Sequence, residues 1–256
     1  MPINLSNNVI NARMIEQKGA IITKVPTDGL IVHLDAGNTN SYPGSGSVWY
    51  DLSARGNNFN VNASAFVSSG VKYMDFNGSY GCAKNSSDLS LSDGTGVTYL
   101  LWTRIKQSTA EWRTLTRSYT SDHQVIVQSG GYEIGTYDND SAGFLSTGQS
   151  QTSLPGWNTG QWQMLSFRWS STSPEYYVYS PNYSTYLGGY LANISNSNAR
   201  YNRGFGSIGC YHNGSTDVNT SSQYWGDLSM FLCYNRYLTG YEIDSFYRLT
   251  KSRYGL

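Results

Sequence analysis

The sequence predicts an all-β protein, a two-sheet antiparallel sandwich with a short C-terminal helix and an extended N-terminal arm. The composition favours strands over helices, because the 256 residues include 22 Tyr, 7 Trp and 27 Gly but only 13% charged residues. Short apolar runs alternate with clusters of Gly, Asn, Ser and Asp, which is the spacing of a many-stranded sandwich. The length suits one large β domain.

Residues 1–27 differ from the rest of the chain. They contain no aromatic residue and no regular hydrophobic period, and a Pro-Thr-Asp-Gly turn signal follows at 26–29. We therefore assign 1–27 to an N-terminal arm and 28–256 to the sandwich domain. A segment without a core of its own is ordered only where a neighbour holds it. We expect the arm to serve anchoring or assembly and the chain to form a homo-oligomer.

Eight segments of the domain have the length and residue types of β-strands. They are 30–35, 71–76, 97–106, 123–128, 161–170, 175–180, 205–210 and 228–235. In the segment 161–170, alternate positions divide into two faces, one of them apolar. That face is predicted to point into the core.

One segment near the C-terminus is predicted to be helical. Thr239 and Glu242 are spaced as a capping box, in which each residue satisfies a backbone N–H at the start of a helix. Apolar residues at 243, 246, 247 and 249 continue the helical period. A short helix is expected to close the domain.

Charge and hydropathy exclude two classes of partner. Seventeen Lys and Arg balance 17 Asp and Glu without a basic block, so we expect no binding to nucleic acid. No stretch approaches the roughly 20 apolar residues that span a bilayer, and we expect no membrane insertion. The N-terminal residues lack the pattern of a secretion signal. The three cysteines, Cys82, Cys210 and Cys233, are odd in number and widely spaced, which predicts buried thiols.

Three segments carry a family resemblance. They are GLIVHLDAGNTNSYPGSGSVWYDLSARGNNFNV (29–61), VKYMDFNGSYGCA (71–83) and YWGDLSMFLCYNRYLTGYEIDSFYRLTKSRYGL (224–256). They resemble the concanavalin A-like, laminin G-like jelly-roll domains of tailed-phage virion proteins. The chain departs from that pattern at Phe59, where the family usually has Gly. The middle of the chain matches in strand rhythm and in Gly160-Gln161-Trp162.

The resemblance implies a jelly-roll sandwich and a structural role. On this interpretation the chain is a non-enzymatic virion protein, a capsid decoration (cement) or fibre component at the virion surface, on capsid or tail. Its arm would bind other virion proteins such as the major capsid protein. The alternative is a lectin module that recognises glycans on a host surface, since the same sandwich serves lectins, glycan hydrolases and inert modules.

The sequence offers little for catalysis. Glycan hydrolases of this fold place three carboxylates on a strand as Glu-x-Asp-x-x-Glu. Glu242-Ile243-Asp244 is the one Glu-x-Asp of the chain, but residue 247 is Tyr and the segment is predicted to be helical. The chain has three histidines, His33, His123 and His212. None of them has a nucleophile elbow or a catalytic partner nearby in the sequence. We expect no catalytic residue and no enzymatic activity.

Two further sets of side chains suggest ligands. Asp138-Asn139-Asp140 offers oxygen ligands for calcium, but the same run is ordinary turn chemistry, and no metal or cofactor is expected. Asp35 and Asp51 are predicted to bond loop backbone. Aromatic rings in predicted loops could stack on a sugar, although Trp49 and Trp157 could instead pack on the sandwich edge. The carbohydrate-binding candidates are Trp49, Tyr80, Trp112, Tyr119, Trp157 and Tyr211, with Tyr50 and Tyr183 in similar settings.

Overall fold

Two antiparallel sheets contain most of the strands of this chain. A computed structural model describes residues 24–62, 65–77, 82–91, 96–106, 112–118, 123–127, 134–138, 143–146, 160–169, 174–180, 183–190, 204–212, 218–219 and 225–256. The strands are β1 Leu30–Asp35, β2 Val48–Trp49, β3 Phe59–Asn62, β4 Ala65–Val67, β5 Tyr73–Asn77, β6 Cys82–Ser90, β7 Val97–Ile105, β8 Arg113–Arg117, β9 His123–Val127, β10 Ile134–Asp138, β11 Gly143–Ser146, β12 Gln163–Trp169, β13 Pro174–Ser180, β14 Tyr183–Tyr190, β15 Gly204–Ile208, β16 Tyr211–His212, β17 Val218–Asn219 and β18 Trp225–Tyr234.

The strand order confirms the predicted sandwich. Sheet A runs β14-β13-β12-β7-β18-β5-β4, with β1 added beside β18, and sheet B runs β11-β10-β9-β8-β15-β6-β3-β2. The short strands β16 and β17 pair with each other in a separate two-stranded sheet. All eight segments predicted as strands are strands, and the described pairings are antiparallel. Among the described residues, no helix is long and apolar enough to cross a membrane.

Strand β18 organises sheet A. Its C-terminal half pairs with β1, its N-terminal half pairs with β5, and β7 runs along its other side. A register shift between Leu228 and Met230 separates the two halves. The strand therefore extends across the whole length of the sheet and is buried throughout from Gly226 to Tyr234.

The main core lies between the two sheets. Its fully buried members come from both of them, because alternate residues of each strand point inward. They include Leu34, Trp49, Phe59, Phe76, Tyr99, Leu101, Leu165, Phe167 and Phe231. The inward positions of β12, Leu165 and Phe167, belong to the apolar face that was predicted to point into the core.

A second core covers the outer face of sheet A. Helix α1, Gly240–Thr250, lies there and is followed by a 3-10 turn, Lys251–Tyr254. Trp102 of β7 stacks between Tyr254 and Tyr247, with ring centroids 3.9 Å and 5.8 Å apart, and its Nε1 donates to Thr250 Oγ1 at 2.8 Å. The helix therefore buries the second face of the central strands.

The capping box predicted at Thr239 is present. The Thr239 side chain accepts from the Glu242 N–H, and the Glu242 carboxylate accepts from the Thr239 N–H at 2.8 Å. Arg236 adds two hydrogen bonds to the same carboxylate, at 2.6 Å and 3.1 Å. Burial raises the pKa of Glu242, but the hydrogen bonds from Arg236 and Thr239 outweigh it and lower the pKa overall. Glu242 is thus a helix cap in this fold.

We expect Glu242→Gln to lower the free energy of unfolding by about 1 kcal/mol at pH 7, because it removes a charge-assisted pair at a helix start. A carboxyl whose folded pKa is depressed stabilises the fold above its unfolded value and loses that contribution as the pH falls. The difference between the two proteins should therefore shrink below the ordinary value of 4.5. Urea unfolding at pH 7 and pH 3 measures it, and an undiminished difference at pH 3 would contradict the assignment.

The loop after β2 covers the free edge of β1. Asp51 accepts from four donors: the backbone N–H groups of His33, Ser53 and Asn57 and the Ser53 hydroxyl, at 2.6–3.0 Å. Ser53 and Asn57 donate to the Ile31 carbonyl, and the Leu52 N–H donates to the His33 carbonyl. Because an unpaired strand edge invites other chains, this loop protects the edge. Asp51 is structural, as predicted.

Asp35 is structural as well, since it ties β1 to the C-terminal turn. Arg253 contacts both carboxylate oxygens, at 2.7 Å and 2.9 Å, and the Asp35 N–H donates to Ser41 Oγ. The guanidinium lies against the backbone of Gly37, where any Cβ would overlap Nη2 and Cζ of Arg253. Glycine at position 37 therefore makes room for the ion pair.

The prediction of three buried thiols is wrong for Cys210, which is disulfide-bonded. Cys233 is a free, buried thiol, and burial raises its pKa well above the usual value. The spacing of the cysteines in the sequence did not indicate this disulfide, because residues far apart in the chain meet only in the folded sheet. Strand β15, which precedes Cys210, pairs with β6, so that Ile208 lies opposite Ala83.

The described structure begins within the segment assigned to the arm. The Pro26 carbonyl accepts from the Tyr234 hydroxyl at 3.1 Å, and Val25 packs on the second core. Residues 1–23 lie outside the described part of the chain. This segment therefore contacts the domain through Val25 and Pro26.

Candidate functional site

A cluster of polar and aromatic side chains lies on the outer face of sheet A, beside the second core. We call it the platform, and it consists of Tyr73, Asp75, Arg104, Lys106, Trp162 and Asp227. Strand register brings these residues together, because Asp227 pairs with Asp75 on one side and with Arg104 on the other. Gln163 pairs with Thr103, so the preceding residue, Trp162, lies at the level of Arg104.

Side-chain alternation explains why these residues face outward. On β5, Met74 and Phe76 enter the main core, so Tyr73 and Asp75 point the other way. On β7, Leu101 and Ile105 enter the main core, so Arg104 lies on the outer face with Trp102. The platform is thus the polar continuation of the face that helix α1 covers.

Asp227 is the centre of the platform. Its side chain is fully buried, and its Oδ2 accepts from Arg104 Nε at 2.6 Å and pairs with Arg104 Nη2 at 2.5 Å. Lys106 Nζ lies 2.8 Å from the other oxygen, Oδ1. Burial raises the pKa of Asp227, and hydrogen bonds from Lys106 and Arg104 partly reverse this effect. The two cations compensate a carboxylate that would otherwise be costly to bury.

Lys106 joins the two carboxylates of the platform. Its Nζ also lies 2.8 Å from Asp75 Oδ2. Burial opposes the positive charge of Lys106, but hydrogen bonds to Asp227 and Asp75 outweigh it and raise the pKa of the ammonium group. Two cations and two carboxylates therefore form a network without net charge.

Two aromatic rings flank the guanidinium of Arg104. Its Cζ lies 5.1 Å from the ring centroids of both Tyr73 and Trp162, within the range of a cation–π contact. The two rings are 5.5 Å apart and inclined at 64°. Trp162 also contacts Tyr254, at 5.3 Å between centroids. Each ring is thus held from more than one side.

Part of the platform faces solvent. Tyr73 and Trp162 are half-buried, and the side chains of Arg104 and Lys106 are 26% and 30% exposed. The open surface therefore combines aromatic ring area with fixed N–H donors. This combination suits a ligand with both an apolar face and oxygen acceptors, whereas both carboxylates are engaged by cations.

The predicted aromatic candidates do not gather at this platform. Trp49 lies on the edge strand β2 and is fully buried in the main core. Its ring therefore has no face open to a sugar. It packs at the edge of the sandwich, which was the alternative prediction. Trp112 is half-buried, with its ring edge-to-face with Tyr137 at 5.6 Å. Tyr50 is 45% exposed.

The other candidates are not described in this structure. Tyr80, Tyr119 and Trp157 lie outside the described residues, as do the side chains of Tyr183 and Tyr211. The proposed calcium run 138–140 lies outside them apart from the backbone of Asp138, the last residue of β10. Within the described part of the chain, no three His, Cys, Asp or Glu side chains form a metal-binding group.

The sequence prediction missed all six platform residues. Local signals existed for Arg104 with Lys106 and for Tyr73 with Asp75, because each pair occupies alternate positions of a predicted strand and must share a face. Asp75 and Asp227 come from distant segments, and only strand pairing brings them to those cations.

No protein-family model matches this sequence. No curated protein matches it either. Solved structures that resemble the fold include a sialidase of Trypanosoma rangeli in complex with sialic acid, with a TM-score of 0.57 and 14% identity. The match covers 97% of this chain but 39% of the sialidase, so the chain spans well under half of that protein.

For two other solved structures, the match covers a larger share of the solved chain. Domain 4 of the arabinanase AbnA from Geobacillus stearothermophilus, in complex with arabinotriose, has a TM-score of 0.53 and 15% identity, and the match covers 84% of this chain and 96% of the domain. The receptor-binding domain of botulinum neurotoxin mosaic serotype C/D has a TM-score of 0.55 and 11% identity, with 88% and 51% covered. At these identities the likeness establishes a shared β-sandwich fold.

Proposed function

We propose that this chain is a carbohydrate-binding module and that the platform is its sugar-binding surface. The observation that carries the proposal is the guanidinium of Arg104, held by a buried carboxylate between two half-buried rings. A sugar ring presents C–H groups on its faces and oxygen atoms around its rim. Aromatic rings suit the first, and fixed N–H donors suit the second.

The platform side chains support one another without a ligand. Trp162 rests on Tyr254, and Arg104 and Lys106 are both held by Asp227. Binding to fixed side chains avoids part of the conformational entropy that a ligand must otherwise overcome. Such a surface supports binding even where the contact area is small.

The solved structures support the class of ligand. Domain 4 of the arabinanase is seen with arabinotriose, and the match covers nearly all of that domain. The sialidase, of which the match covers 39%, is seen with sialic acid. A sandwich of this type accompanies carbohydrate chemistry in both proteins, which favours the lectin alternative of the sequence prediction.

We propose that the module has no catalytic activity of its own. Asp75 and Asp227 are ion-paired to Lys106 and Arg104, so neither offers a free general acid or base. Glu242, the residue of the sequence motif, caps helix α1. Incubation with a panel of polysaccharides and analysis for released sugars tests this, and release above a denatured control would overturn it.

Trp162→Ala is expected to weaken sugar binding at least tenfold, because a central aromatic anchor carries a large share of a binding energy. A glycan array identifies a ligand for the unmodified chain, and isothermal titration calorimetry measures Kd for the variants. Tyr50→Ala is the matched control, since Tyr50 is exposed and lies outside the platform. Trp112→Ala tests the rival location on sheet B. Loss of binding in Trp112→Ala with retention in Trp162→Ala would place the site elsewhere.

Display of the module on a virion surface is a separate proposal, which rests on the resemblance of the end segments alone. None of the solved structures described above is a virion protein. In this proposal the arm binds the major capsid protein or other copies of the chain. Mass photometry of the full chain against one that begins at Lys24 tests the assembly role while keeping the contacts of Val25 and Pro26. Equal masses for the two would argue against it.

A further inference from the structure

The exposed polar groups of the platform are mainly donors. Both oxygens of Asp227 are engaged by cations, and Oδ2 of Asp75 is engaged by Lys106. The remaining oxygen, Asp75 Oδ1, is buried and out of reach of a ligand. An incoming sugar therefore meets ammonium, guanidinium and phenol groups, and the carboxylate at this surface, Asp75 with a side chain 26% exposed, is already paired with Lys106.

Arg104 is held in an orientation that leaves one edge of its guanidinium available. Nε and Nη2 both contact the same oxygen of Asp227, so Nη1 and the second N–H of Nη2 are not used by that carboxylate. The Tyr73 hydroxyl is a further hydrogen-bond partner of this group, which leaves two of the five N–H bonds of the guanidinium for a ligand. Two parallel N–H groups on a planar guanidinium match the two oxygens of a carboxylate.

Lys106 adds a further donor beside this edge. Its Nζ lies 2.8 Å from Oδ2 of Asp75 and 2.8 Å from Oδ1 of Asp227. The side chain is 30% exposed, so the ammonium group can also donate to a ligand. Because the four charges of the platform cancel, a bound anion would give the cluster a net charge of only −1.

We infer that the platform selects saccharides that carry a carboxylate, such as uronic or sialic acids. The inference rests on the proposed function and names its ligand class. The sugar ring lies against Trp162, and its carboxylate accepts from the open edge of Arg104 and from Lys106. The chain as a whole has no net charge, so the selection arises from contact and not from long-range attraction.

Matched pairs of probes test the inference by titration calorimetry. Trigalacturonic acid is compared with its methyl ester, and 3′-sialyllactose with lactose, so that each pair differs in the carboxylate-bearing group. A third pair, a sulfated disaccharide and its desulfated form, separates carboxylates from other anions. At least one carboxylated probe should bind at least tenfold more tightly than its neutral partner. Selection confined to the sulfated pair would overturn the carboxylate assignment.

A double variant, Arg104→Met with Asp227→Leu, removes the guanidinium together with its buried counter-ion. Replacing a buried ion pair by apolar residues is commonly neutral for stability, and Lys106 keeps Asp75. This variant should lose most of its preference for acidic probes and still bind neutral ones, because Trp162 and Tyr73 remain and Lys106 alone is left to contact a carboxylate. Arg104→Lys, which keeps the charge but loses the planar edge, should also lose most of the preference.

The outcomes separate this inference from the proposed function. If the unmodified chain binds a neutral probe as tightly as its acidic partner, the inference fails and the carbohydrate-binding function stands. Selection that survives in the double variant would also overturn the assignment to Arg104. If no saccharide binds, on the array or in solution, the proposed function itself fails.

Discussion

Trp102→Ala is expected to lower the free energy of unfolding by about 4 kcal/mol, the middle of the range for truncation of a buried aromatic residue. Trp102 is fully buried, stacks on Tyr254 and Tyr247, and donates to Thr250. Its removal leaves a cavity between sheet A and helix α1. Because Trp102 contacts Tyr247, Thr250 and Tyr254, we expect the helix to loosen before the sheets separate.

Urea unfolding followed by circular dichroism measures this loss. Tyr241→Ala is the control, since Tyr241 lies on the same helix with 36% of its surface exposed. An exposed position should change the free energy of unfolding by less than about 0.5 kcal/mol. Faster amide hydrogen exchange confined to 240–254 in Trp102→Ala would locate the effect at the helix. A loss below about 1 kcal/mol would show that the helix does not depend on this tryptophan.

Asp51→Ala is expected to lower the free energy of unfolding by about 3 kcal/mol, because its carboxylate accepts four hydrogen bonds from the loop and from β1. The His33 N–H at the edge of β1 would lose its partner. Loss of this cover also exposes a strand edge, so the variant should aggregate more readily on heating. Differential scanning calorimetry with light scattering follows both effects.

Asp244→Ala provides the matched control for Asp51→Ala. Asp244 forms an exposed i,i+4 pair with Arg248 at 2.7 Å, and such pairs contribute only about 0.3–0.5 kcal/mol. If both aspartate variants unfold alike, the loop 49–58 does not stabilise β1. The predicted structural role of Asp51 would then be wrong.

The sequence was sufficient to predict the sandwich because its strongest signals are local. The strand at 30–35 has the predicted bounds, and the capping box at Thr239 places the start of helix α1 within one residue. Both depend on neighbouring residues in the chain, which sequence patterns report directly. The aspartates of the resemblance, Asp35 and Asp51, also have the structural roles that were expected.

The platform could not be predicted because its members meet only through strand order. Nothing local connects Asp227 to Arg104, which lie on neighbouring strands although far apart in the chain. The burial of Trp49 could not be predicted either, because its neighbours in the sequence include Ser, Gly and Tyr, which are typical of a loop. On β12, Met164 and Ser166 are buried on the face opposite the main core, because helix α1 covers it. A period-two pattern does not reveal a face covered by a distant segment.

The length of β18 has a practical consequence for handling this protein. Asp227 stands near one end of the strand and Tyr234 at the other, roughly 24 Å away at about 3.4 Å per residue. The segment that begins at Lys24 meets the domain at the Tyr234 end. Tyr254, by contrast, touches Trp162. A tether attached at Lys24 would therefore leave the domain at the end of β18 away from Asp227, whereas a tag fused after Leu256 would stand beside the platform.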